Sequence, residues 1–134
     1  MSLTEIQEDL QTLSARERFI YLIELGEELP EYPEEYKTKK FEVQGCQSHA
    51  YIRATTNNNK IQLQGFANAK VVRGYIYILL QALNNKSAQE ILASKQQINS
   101  FIQQTGLNTT TQTSRADAFS NLYNHIQQEV RKLS

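Results

Sequence analysis

Only one cysteine, Cys46, occurs in the 134 residues. A single thiol cannot form an internal disulfide, which points to a chain made and kept in the cytoplasm. One cysteine and two histidines, without carboxylates clustered in loops, argue against a zinc or iron–sulfur site built by this chain alone. Proline (2) and glycine (5) are scarce, so the chain is neither disordered nor fibrous. No apolar run approaches the length of a membrane span, and no membrane association is expected. The opening MSLTEIQEDL has neither a basic region nor an apolar core, so no signal peptide is expected. No dense Lys/Arg run or interleaved basic–aromatic patch suggests nucleic acid. A P-loop, a Rossmann glycine pattern and a nucleophile elbow are all missing. No lysine sits in a recognisable pyridoxal-phosphate setting.

What is present is an ordinary globular balance: 40% hydrophobic and 21% charged residues. The length suits one domain, 1–134, with a sizeable core. Net charge is zero but unevenly spread. Residues 1–42 carry eleven acids and five bases, net −6, and the remainder three acids and nine bases, net +6. Such asymmetry can orient a partner protein, or it can reflect solvated helix faces.

Ser14-Ala15-Arg16-Glu17 reads as a capping box. Behind it Phe19, Ile20, Leu22, Ile23 and Leu25 recur at helical spacing, predicting a helix from about 15 to 28. Leu29-Pro30 and Tyr32-Pro33 break it. Residues 42–45 read as a short strand. From His49 to Thr56 the pattern alternates, with Ala50, Ile52 and Ala54 on one face and His49, Tyr51 and Arg53 on the other. Asn57-Asn58-Asn59 makes a turn, and Lys60 to Phe66 alternates again. Asn68 is the expected N-cap of a largely buried helix from 69 to about 83. Ser87-Ala88-Gln89-Glu90 is a second capping box. A short helix is expected behind it, and another short helix is expected to end at Gly106. Phe119, Leu122, Tyr123, Ile126, Val130 and Leu133 mark a terminal helix, with His125 on the flank of its stripe. The order predicts an α+β domain of two layers, a small antiparallel sheet of about three strands packed against several helices.

Cys46 follows Gly45, where the chain can turn sharply, and precedes polar Gln47 and Ser48. A free cysteine is commonly a small buried hydrophobe, but this setting offers little packing volume. A thiol at a strand–loop junction can reach a partner, and exposed backbone N–H groups there could stabilise a thiolate. His49, three residues on, could pair with Cys46 as in thiol hydrolases, or be a surface strand histidine.

Val43-Gln44-Gly45-Cys46-Gln47-Ser48, followed by a strand, resembles the SufE/CsdE family of sulfur-acceptor proteins. The likeness continues in order along the chain. Arg16, Arg18 and Leu22-Ile23-Glu24-Leu25-Gly26, with Leu29-Pro30, resemble the family's first long helix. Gly65 and the run Ala69 to Gly74 resemble its central helix start. Ser87 to Leu92, Gly106-Leu107 and Thr113-Ser114-Arg115 resemble later blocks. Tyr51 stands where the family often has tryptophan, Phe66-Ala67-Asn68 where it has acids, and Ala116-Asp117-Ala118 where it tends to read Ser-Asn/Gln-Gly.

The resemblance implies a fold like the scaffold proteins of iron–sulfur assembly. It implies that Cys46 accepts sulfane sulfur as a persulfide from a pyridoxal-phosphate cysteine desulfurase of the SufS/CsdA kind. It also implies that the protein stimulates that enzyme and passes sulfur towards an iron–sulfur scaffold or another acceptor. The protein is then a transfer partner, not an enzyme that turns over alone, and the cofactor belongs to the partner. Gly45, Gln47 and Ser48 would support the loop and pivot it, so that Cys46 tucks in at rest and swings out on docking. His49 and Arg115 are candidate contacts to the partner or the loop. The oligomeric state stays open, a homodimer included. Two other readings remain: a stand-alone Cys–His thiol hydrolase or peroxidase using Cys46 and His49, and a non-catalytic interaction module.

Overall fold

The computed structural model describes residues 1–45, 49–107 and 113–133. In order these form α1 (Leu3–Thr12), α2 (Ala15–Glu27), two 3-10 turns (Glu34–Tyr36 and Lys39–Phe41), β1 (Ala50–Asn57) and β2 (Lys60–Ala67). Helices α3 (Lys70–Leu83), α4 (Ala88–Leu92), α5 (Lys95–Thr105) and α6 (Thr113–Leu133) follow. The architecture is α+β, as expected, with a two-stranded antiparallel sheet against helices. The expected third strand over 42–45 is reduced to one bridge, Glu42 to Tyr51. Val43 N–H reaches across to Ala50 O at 2.8 Å, and the pairing goes no further among the described residues because Gly45 turns away with φ +85°.

Strands β1 and β2 pair from Ala50↔Ala67 to Asn57↔Lys60. Asn58 and Asn59 both take positive φ, 54° and 65°, the two-residue turn whose twist matches a hairpin. One sheet face buries Ala50, Ile52, Ile61 and Leu63. The other carries Tyr51, Arg53, Gln64 and Phe66 and is covered by the segment after α2. Arg53 stacks over Tyr36 at 3.8 Å and donates from Nη1 to Gln64. Lys37 lies 3.8 Å over Phe66. These cation–π contacts fix the segment that leads to Cys46.

Helix α3 is the most buried, as its apolar circumference predicts: Tyr75, Ile76, Ile78, Leu79 and Leu83 have no exposure. The expected cap does not form. Asn68 N–H instead donates to His49 O at 3.0 Å, continuing the sheet, and Ala69 stands at the cap without a side-chain bond. The boxes at Ser14/Glu17 and Ser87/Glu90 form as read. No element is expected over the polar first fourteen residues, yet α1 is there. Ser2 and Glu5 cap it reciprocally, and Ile6 and Leu10, one turn apart, are fully buried. Tyr21 OH donates to Asp9 at 2.8 Å and Arg18 Nε to Leu10 O at 2.8 Å, pinning α1 to α2.

Two glycines let α2 and α3 approach closely. A Cβ on Gly26 would stand 2.7 Å from Arg73 Cβ, and one on Gly74 would run into the Leu22 carbonyl. Helix α6 buries Phe119, Leu122, Tyr123, Ile126 and Val130, as its stripe predicts, whereas Leu133 is 42% exposed. Its position along the domain is set by polar groups. Gln127 Nε2 donates to Ile91 O at 2.7 Å and to Tyr123 OH at 2.9 Å, and Tyr123 OH meets Ser94 Oγ at 2.7 Å.

Candidate functional site at the neck of the cysteine segment

Cys46, Gln47 and Ser48 lie outside the described residues, but the chain on both sides of them is described. The neck is closed by Val43 N–H to Ala50 O. Beside it, His49 Nδ1 meets Glu42 Oε2 at 2.5 Å. A carboxylate only accepts, so Nδ1 carries the proton. The His49 side chain is 66% exposed. Its ring stacks on Tyr51, centroids 6.4 Å apart, and Tyr51 in turn on Tyr32 at 6.3 Å. An aromatic ladder therefore runs back from the neck along the outer sheet face.

Tyr32 is 4% exposed and donates to Tyr36 O at 2.9 Å. Burial pushes its hydroxyl up to about 12, and Tyr21 is raised as well, by burial and by Asp9. A raised folded pKa means the folded state holds the proton more tightly, so that stability is present below about pH 10 and lost as pH climbs through 12. Tyrosinate absorbance in an alkaline titration should therefore show Tyr32 and Tyr21 ionising late, together with unfolding. Ionisation of Tyr32 near the free tyrosine value, with the fold intact, would contradict its placement.

The last helix holds both sides of the neck. Asn121 Nδ2 donates to Gly45 O at 3.1 Å. One turn later, His125 Nε2 bonds Ile52 O at 2.9 Å. His125 is thus no flank residue: it is 8% exposed and committed to a strand carbonyl, which the polar character of histidine hides in a pattern read for apolar spacing. Gly45 is required twice over. Its φ of +85° disfavours L side chains, and a Cβ would come within 2.5 Å of Asn121 Nδ2. Arg115 falls in the first turn of α6, and its side chain lies outside the described residues. Sequence reasoning missed Glu42 and Asn121. Glu42 sits seven residues from His49 on the paired segment, a spacing readable only once the hairpin is known. Nothing local marks Asn121, 76 residues from Gly45.

Among the described residues, no group of three His, Cys, Asp or Glu side chains could hold a metal ion, and no helix is long and apolar enough to cross a membrane.

The family model described as SufE, an Fe–S metabolism associated domain, matches residues 4–130. The chain belongs to the SufE family. An uncharacterized SufE-like protein of Synechocystis is 34% identical to this SufE-family chain, over 84% of its length and 69% of the relative's. A second, from Rhizobium etli, is 31% identical over 97% of this chain and 90% of its own. The solution structure of a hypothetical protein from Thermus thermophilus superposes with a TM-score of 0.76 at 21% identity. That match covers 98% of this chain and 97% of the other, and shows the fold alone. Family membership associates this SufE-family protein with iron–sulfur metabolism.

Proposed function

We propose that the protein is a sulfur acceptor and carrier for a pyridoxal-phosphate cysteine desulfurase, with Cys46 as the carrier. The Cys46 thiolate attacks the terminal sulfur of the desulfurase's cysteine persulfide. A new S–S bond forms on Cys46, the donor's S–S bond breaks, and the donor cysteine leaves as its thiolate. The exchange needs no outside oxidant or reductant. Clearing the donor persulfide stimulates the desulfurase, and the same displacement by a later thiol passes the sulfur towards iron–sulfur cluster assembly. With no second cysteine in the chain, no neighbouring thiol discharges the persulfide as sulfide.

The observation that carries this reading is the anchoring of the segment that bears the chain's only thiol. One arm is held at the Gly45 carbonyl, one peptide bond before Cys46, and the other at Ala50 in the sheet. On this reading the short segment between the two arms presents Cys46 to another protein. His49 and Arg115 are offered as contacts to the partner or the loop, the acidic N-terminal third as part of the docking face, and the cytoplasm as the place of action.

Intact-mass analysis after incubation with L-cysteine and a purified cysteine desulfurase tests the proposal. The wild type should gain the mass of one sulfur atom, reversibly with reductant, and Cys46→Ser should gain none. No gain on the wild type would sink it. The Glu42–His49 contact, which orients an imidazole beside the cysteine segment, favours the second reading of a stand-alone Cys–His hydrolase or peroxidase. Partner-free thiol turnover lost in His49→Ala would bring that reading forward.

A further inference from the structure

We infer that Asn121 is a positioning residue for sulfur transfer, acting through the Gly45 carbonyl. The inference rests on the reading of Cys46 as the sulfur carrier and adds a residue to it. Three observations carry it. First, the Asn121 amide donates to the carbonyl of the peptide that joins Gly45 to Cys46. Second, among the described residues of the neck Gly45 alone has positive φ, +85°. Glycine visits both signs of φ with similar ease, so the chain here chooses its direction only through outside contacts. Third, Asn121 is itself fixed. It lies one turn before His125, whose ring bonds β1, and two residues after fully packed Phe119.

The two arms of the neck are held unequally. The arm after the cysteine is built into the sheet: Ala50 O accepts from Val43, His49 O accepts from Asn68, and Ile52 O accepts a buried bond from His125. The arm before it leaves the bridge at Val43 and then, among the described residues, has the one exposed Asn121 bond. Without that bond Gln44 and Gly45 lose the contact that fixes the peptide plane leading into Cys46. A partner would then have to select the productive orientation from several. Such a loss is paid in apparent affinity, since only the competent fraction docks, and not in the chemical step once docked.

Asn121→Asp is the sharpest test. It keeps shape and volume but replaces the N–H donor with an acceptor facing the Gly45 carbonyl. Sulfide production by a purified cysteine desulfurase is followed with L-cysteine saturating, dithiothreitol as the reductant that releases sulfide from the persulfide, and the protein as the varied acceptor. Loss of one net hydrogen bond should raise the acceptor concentration for half-saturation about five-fold, with the maximal rate unchanged. The thermal midpoint should move little, because the bond is exposed. A half-saturation concentration equal to or below the wild type's, with the wild type taking up sulfur normally, overturns the inference. So does an unchanged half-saturation with a lowered maximal rate. If the wild type itself gains no sulfur by mass, the reading of Cys46 fails and takes this inference with it, a result distinguishable from the first. Should the Asp variant fail to fold, Asn121→Ala removes the same donor without adding charge, and the same expectations apply to it.

Discussion

Gly74→Ala should destabilise the protein by about 3 kcal/mol, although alanine is the better helix former by about 1 kcal/mol. The added methyl would run into the Leu22 carbonyl oxygen, with Leu22 C at 2.8 Å and Cα at 3.1 Å behind it. All three are backbone atoms of a packed helix, so no side chain can rotate away. Helices α2 and α3 would have to part, and Leu22, Leu25, Val71 and Ile78 would lose contact with the shared core. A domain of this size is stable by only about 5–15 kcal/mol, so the loss is a large share. Urea unfolding should show a lower midpoint with a similar slope. A midpoint equal to or above the wild type's would mean that the helices stand farther apart than placed.

Phe119→Ala should cost about 3–5 kcal/mol. Phe119 is 1% exposed. Its ring meets Tyr75 edge-on at 5.5 Å and stacks on Phe101 at 6.3 Å, so it joins α3, α5 and α6. Removing it leaves a cavity that three helices cannot all close, and it strips both partners of aromatic contacts worth about 0.5–1.5 kcal/mol each. Phe119→Leu, which keeps most of the volume, should cost far less, about 1–1.5 kcal/mol. Thermal unfolding of the two variants separates the cases. Equal losses would place the cost in a lost aromatic contact instead of a cavity. Phe119 stands two residues before Asn121, so the alanine variant should also weaken the hold on Gly45.

Much of this arrangement can be read from periodicity. The stripes of α3 and α6, the capping boxes at Ser14 and Ser87, and the hairpin around Asn58 are local signals, and each forms as read except at Leu133, the exposed end of the α6 stripe. Helix α1 escaped notice because its composition is polar. Its signal was nonetheless present in Ser2 and Glu5 at box spacing and in Ile6 and Leu10 one turn apart. Asn68 shows the opposite failure. The residue type suits a cap, but its N–H is taken by the sheet, a demand that only the paired strand reveals. The bridge at Glu42 stops short of a third strand because Gly45 turns. At the site, Gly45 and His49 were legible from their place beside the lone cysteine. Glu42 needed the hairpin, and Asn121 and His125 needed a helix from the far end of the chain. Cys46, Gln47, Ser48 and the Arg115 side chain lie outside the described residues, so what is assigned to them rests on the sequence and the family.

The bond between Asn121 and Gly45 spans 76 residues, and that separation has a consequence in time. A ribosome adding about 5–20 residues per second takes roughly 4–15 seconds to travel from one to the other. For that interval the newborn thiol exists without its anchor. If Cys46 is the sulfur carrier proposed above, the contact at Gly45 that leads into it forms only when the last helix has been made and has docked, and a chain interrupted before that helix would lack it.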